Sequence, residues 1–169
     1  MTLASADLAW QFRAAATYTP TGGGAAARAA PRDGSTSSLT NGTASGKADI
    51  LVYQLKTLTA TTAATYDLYT GTDLKDLFGQ TAAGRSVRHL AVWVDSGGDS
   101  SGVLVGGGSN PVPLFADATD KFKFFPSGPP FLAGSPAGIA VGATTGNLRI
   151  ENLGAVSVTV GIYLAMSSA

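Results

Sequence analysis

Asn147–Ala165, NLRIENLGAVSVTVGIYLA, carries the clearest pattern in the chain. Val156, Val158, Val160, Ile162 and Leu164 occupy alternate positions, with Ser157, Thr159, Gly161 and Tyr163 between them. Successive side chains of a strand point to opposite faces, so this period of two sends five aliphatics to one side and predicts a strand packed on a core. NLRIEN reads as the strand before it. The small-residue turn LGAV predicts that the two form a hairpin closing the domain.

The same texture extends back to Ala48: short runs of Val, Ile, Leu, Thr and aromatics broken by Gly, Pro, Asn and Asp clusters. In DILVYQLKTLTATT, Leu51, Tyr53 and Leu55 alternate with Val52, Gln54 and Lys56, the signature of a half-buried strand. TYDLYTG either pairs with it or turns away. RSVRHLAVWVDS is apolar on both faces through Val87, Leu90, Ala91, Val92, Trp93 and Val94, which predicts a central strand. DSGGDSSG is the turn before the strand GVLVG. TDLKDLFG is the one helical signal, with Thr72 or Asp73 as cap, Leu74, Leu77 and Phe78 at spacings of three and four, and Gly79 as terminator.

Between Gly106 and Gly138 the chain crowds together most of its prolines and phenylalanines. Proline removes ladder donors, so strands here are expected to be short, at an edge or broken. In KFKFFP, Lys121 and Lys123 alternate with Phe122 and Phe124, one face charged and one apolar. PSGPPFLAGSP predicts a rigid loop across a sheet edge that doubles as a contact ridge through Phe125, Pro129, Pro130 and Phe131. About eight strands with near-regular turns give an all-β fold, a β-sandwich of jelly-roll type over residues 48–169 with one short helix.

Residues 1–47 read differently. LAWQFRAAATYT offers Trp10, Phe12, Arg13 and Tyr18, side chains typical of interface anchors, although a first strand or short helix packed on its own domain explains them equally well. From Thr19 to Lys47 a Gly/Ala/Ser/Thr tract follows, with Pro20 and Pro31 as breakers. Fixing a backbone costs about 1 to 2 kcal/mol per residue, and such a tract buries little to offset it. The expectation is an extended arm that gains order by contact with another chain.

Composition narrows the function. In 169 residues, eleven basic side chains balance eleven acidic ones, which removes the long-range attraction that nucleic-acid binding depends on. Only 13% of residues are charged and 44% are hydrophobic, a surface suited to assembly rather than to a free monomer. Cysteine is absent, so neither disulfides nor thiolate metal sites are available. No apolar run approaches the roughly 20 residues of a membrane span. MTLASADLAWQF lacks a basic start and is broken by Asp7, so no signal peptide is expected and the chain reads as one used in the cytoplasm or in something built there.

Catalytic signatures fail one by one. The single histidine, His89, sits in the central strand on the face of Val87, Ala91 and Trp93, and no G-x-S-x-G elbow accompanies it. A glycosidase needs two spaced carboxylates, yet the only glutamate is Glu151, expected to be exposed by alternation, and the aspartates cluster at turns that explain them. Asp95 with Asp99 and Asp117 with Asp120 do not match a Ca²⁺ loop, and GVLVGGGSN lacks the Lys-Ser or Lys-Thr of a phosphate loop. No cofactor is expected.

The closing GNLRIENLGAVSVTVGIYLAMSSA resembles the end of small virion structural proteins of tailed bacteriophages, with strand, Asn, small-residue turn and Val-rich strand. The whole organisation, a small-residue arm before a compact cysteine-free β-domain of low charge, is similar to head decoration or cement proteins. That resemblance implies a non-enzymatic protein on the outer capsid surface of a virion assembled in the host cytoplasm. It further implies a homotrimer bound to the major capsid protein, with the arm as clamp. The alternative is a tail or fibre component or a lectin-like module for host glycans, for which Trp93, Tyr66, Tyr69 and the DSGGDS loop are the available material.

Overall fold

The computed structural model describes residues 5–13, 16–18, 27–29 and 32–169, with side chains from residue 42 onward. Thirteen strands follow in order: β1 Ser5–Arg13, β2 Ala16–Tyr18, β3 Ala27–Ala29, β4 Arg32–Asn41, β5 Lys47–Ala48, β6 Ile50–Leu58, β7 Ala63–Asp67, β8 Ser86–Gly97, β9 Val103–Gly106, β10 Lys121–Phe124, β11 Phe131–Ala140, β12 Asn147–Asn152 and β13 Val158–Ser167. The chain divides into two compact units, Asp7–Ser38 and a second that holds Leu39–Ala169. In the first, β2 pairs antiparallel with β3, and β1 lies beside β4. Trp10, Phe12 and Arg13 belong to β1 and Tyr18 to β2. Their side chains fall outside the described residues, as do residues 19–26 and 30–31 of the expected Thr19–Lys47 linker, whose described part includes β3, β4 and the start of β5.

The second unit is built on two four-stranded sheets, β11-β8-β13-β6 and β10-β9-β12-β7, antiparallel at each pairing for which a register is defined. One buried cluster draws on both, with Val52, Leu90, Val92, Ile162 and Leu164 from the first and Tyr66, Val103, Val105, Leu148 and Ile150 from the second. Burying such side chains gains about 1.5 to 3 kcal/mol each, which is what holds the sheets together without disulfides. The all-β expectation holds, and β8 is a central strand flanked by β11 and β13.

Sheet membership corrects the predicted closing hairpin. β12 and β13 are consecutive in sequence but lie in different sheets. Both are half-apolar with period two, so each satisfies its alternation against the shared core from its own side, and only the turn geometry decides between hairpin and crossing. Here Asn152, 2% exposed, makes the turn a corner. Its Nδ2 donates to the carbonyls of Leu58 (3.3 Å), Thr59 (3.0 Å) and Val156 (2.8 Å), while its Oδ1 accepts from Gly154 N–H at 2.9 Å. Val156 lies in that corner at 52% exposure, so four of the five predicted core aliphatics are buried and the fifth is not. TYDLYTG turns away from β6: β7 belongs to the opposite sheet.

No helix occurs among the described residues, and TDLKDLFG is a run of turns. Asp73, one of the two expected caps, takes a positive φ of 64°, which is not the entry geometry of a helix. Asp76 then organises a tight turn, its Oδ1 accepting from Phe78 N–H (2.9 Å) and Gln80 N–H (2.7 Å). Leu74 alone enters the core, while Leu77 and Phe78 are 54% and 41% exposed. Local aspartate bonds competed with the helix and prevailed.

A bulge in β8 corrects a third expectation. The register passes from His89 opposite Ala165 to Val87 opposite Met166, so Arg88 is the extra residue and Val87 does not share the face of His89. Arg88 is 4% exposed. Its guanidinium donates to Pro136 O (2.9 Å), Thr43 O (2.9 Å) and Ser167 Oγ (3.3 Å), tying β11, the segment before β5 and β13 to one point.

Candidate functional site

β6 is patterned inside out. Its register with β13 places Val52, Gln54 and Lys56 on the side of Leu164, Ile162 and Val160, which face the core, and Leu51, Tyr53 and Leu55 on the side of Ala165, Tyr163 and Gly161, which do not. Tyr53 and Leu55 are consequently 53% and 48% exposed. Carried across β8 and β11, the outer rows read Leu132, Ala91, Tyr163, Tyr53 and then Trp93, Gly161, Leu55. These positions carry no Lys, Arg, Asp or Glu.

Trp93 is fixed within this face. A Cβ on Gly161 would overlap Trp93 Cε2 and Cζ2, so the glycine is what lets the indole lie down on the sheet. The ring meets Tyr53 at 5.9 Å between centroids, tilted by 40°. His89 lies on the same outer side at the Ala165 level, and burial lowers its pKa, so the imidazole is neutral at pH 7.

The predicted proline ridge is split by the fold. Phe125, Pro129 and Pro130 are exposed, with Lys123 Nζ 5.2 Å from the Phe125 ring centroid. Phe131 is not part of a ridge: it is 7% exposed and its ring meets those of Phe115 (5.8 Å between centroids) and Phe122 (5.3 Å) at a tilt. Its position opposite Val92 in β11 turns it inward. β11 is an edge strand carrying Pro136 and a register shift, as expected of a proline-bearing edge.

Several carboxylates organise turns, and Glu151 forms ion pairs with Arg149 (2.7 Å) and Lys121 (3.9 Å). Ser101 N–H and Ala155 N–H hold the Asp99 carboxyl below its usual range, and the Thr119 hydroxyl and N–H do the same for Asp117. Glu151 is partly buried rather than exposed, because Arg149 Nη1 reaches it at 2.7 Å from the same face of β12. No cluster of three or more metal-ligating side chains occurs among the described residues.

A cleft opens on the other side of β6. About 520 Å³ in volume, it runs along the free edges of β6 and β7 and is lined by Gln54, Lys56, Leu58, Ala64, Tyr66 and Asp73, with threonines at its rim. Burial, and then the charge of Asp73, push the Tyr66 phenol up to about 12. The glycan-binding material named from sequence is dispersed: Trp93 is on the outer face, Tyr66 is in this cleft, Tyr69 lies under the Arg85 guanidinium at 4.0 Å, and Asp99 braces the β12–β13 corner. Sequence reading missed the cleft, though Gln54 and Lys56 alternating with Leu51, Tyr53 and Leu55 was its visible trace. In comparisons with known proteins, no family model, no curated protein and no solved structure matches the chain.

Proposed function

We propose that the chain is a non-enzymatic structural subunit that binds the outer surface of a larger protein shell and stabilises it. In its particular form it is a decoration or cement protein of a bacteriophage head, assembled as a homotrimer against the major capsid protein. The observation that supports this reading is the run of uncharged positions on the outer face of the β11-β8-β13-β6 sheet, where Tyr53 and Leu55 are about half exposed and Trp93 packs beside Tyr53. Aromatic groups in an uncharged setting favour a protein surface over the phosphates of nucleic acid or an anionic membrane.

Strand order supports it further. From β6 onward the chain crosses between sheets at every connection except β9–β10. Two interlocked four-stranded keys wound in this way make a jelly roll, an architecture common in virus capsids and also in lectins and cupins. Fold analogy alone names no function. The uncharged face is what tips the choice.

The test is a pair of charges placed on that face. Tyr53→Asp with Leu55→Asp in the intact chain leaves both backbones in β6 and introduces no buried charge. We expect unchanged circular dichroism, loss of self-association in light scattering, and loss of co-sedimentation with the particles of the chain's source. A double variant that still co-sediments as the parent does removes this reading.

A further inference from the structure

The two open sides of the second unit are finished differently. Between the edge strands β10 and β11, Phe115, Phe122 and Phe131 close the gap with tilted rings in contact. Between β6 and β7, the inward rows that begin in aliphatics end instead in Gln54 and Lys56, and the cleft remains. Tyr66 is 3% exposed. Neither its phenol oxygen nor Gln54 Oε1 has a hydrogen-bond partner among the described residues, although both atoms are buried. Buried polar atoms of this kind are rare, because leaving one unpaired forfeits its hydration without return. The two residues that carry them both line one cleft, with these atoms buried in its wall.

We propose that the β6–β7 cleft is a binding site for a neutral polyhydroxylated ligand, a mono- or disaccharide, held by Gln54 Oε1 and Tyr66 Oη. The groups present select that chemistry. Gln54 Oε1 requires a donor and the phenol a partner that accepts, and a hydroxyl supplies both. The phenol stays protonated throughout the neutral range and therefore donates. One cation, Lys56, and one anion, Asp73, line the site, so a charged ligand gains from one and loses to the other while hydroxyls bond to both. A purely apolar ligand would strand the two buried oxygens. Leu58 and Ala64 provide the apolar wall against which a sugar's C–H face packs. The site is separate from the outer face and does not depend on the shell-binding role.

An amide-resolved NMR titration of the intact chain tests it, using glucose, galactose, mannose, N-acetylglucosamine and their disaccharides through the millimolar range, with glucosamine and glucuronate as charged controls. The expected result is a set of shifts confined to residues 54–66 and Asp73 for at least one neutral sugar, with weaker binding of the charged forms. Gln54→Ala and Tyr66→Phe should each weaken that binding about tenfold, the worth of one hydrogen bond. Asp73→Asn, at an exposed position, gives a third variant should either of those fail to fold. The proposal is overturned if no neutral sugar moves these signals, if a charged control binds more tightly than its neutral parent, or if all folded variants bind as the parent does. A crystal soaked in the sugar whose cleft holds only water between Gln54 Oε1 and Tyr66 Oη overturns it equally.

Discussion

Three residues do work that their type alone does not announce. Tyr66 is held neutral, its pKa raised to about 12 by burial and then by Asp73. The unfolded phenol ionises near 10, so its contribution to stability is complete below that pH and is lost between about 10 and 12, at roughly 1.4 kcal/mol per pH unit. Alkaline denaturation should therefore be less steep in Tyr66→Phe, and parallel curves for the two proteins would contradict the burial. Gly161 is the seat of Trp93. Gly161→Val should lift the indole into water and red-shift its emission, measured in a Trp10→Phe background so that one tryptophan reports. Arg88 puts a guanidinium where the alternation of β8 calls for an apolar side chain, and its three oxygen partners explain how it is tolerated. Arg88→Met should cost about 2 to 3 kcal/mol in urea unfolding, as expected for lost charge-assisted bonds.

At the scale of elements, β6 sets the character of the molecule. A strand patterned apolar outward and polar inward is locally at odds with a core, and such conflicts concentrate at functional sites. Both candidate surfaces follow from it: Tyr53 and Leu55 on one side, Gln54 and Lys56 on the other. Period two was legible in the sequence, but the choice of face was not, because that choice rests on which side the neighbouring β13 presents to the second sheet. The β12–β13 corner is a similar case. Asn152 was visible as part of a turn, and its bonds to Val156 and Gly154 are local, whereas those to Leu58 and Thr59 require the end of a strand nearly a hundred residues earlier to be in place. Asn152→Asp turns a donor into a charged acceptor facing carbonyl oxygens. We expect it to lower stability by at least about 3 kcal/mol, or to abolish folding, whereas Asn→Asp at exposed Asn110 should change the melting temperature little.

For the molecule as a whole, the point at which the amino-terminal part is cut matters. Thr43, Ser45 and Gly46 bond to Arg88 and Pro136 across the end of the first sheet. A chain beginning at Leu39 should unfold cooperatively, while one beginning at Ala48 should be weaker by about 2 to 3 kcal/mol for the bonds it loses. Equal urea midpoints for the two would show that those bonds contribute nothing. What the sequence determined by itself was local: the all-β texture, the positions of most strands, the central place of β8 and the proline-bearing edge. These follow from the pleat and from backbone preferences, which act over a few residues. Only the tertiary structure decided which strands share a sheet, which face of β6 looks inward, that Asp73 and Asp76 form turns instead of a helix, and that Phe131 serves the core. Each of those outcomes is a competition between local patterns of similar energy, and it is settled by partners distant in the chain.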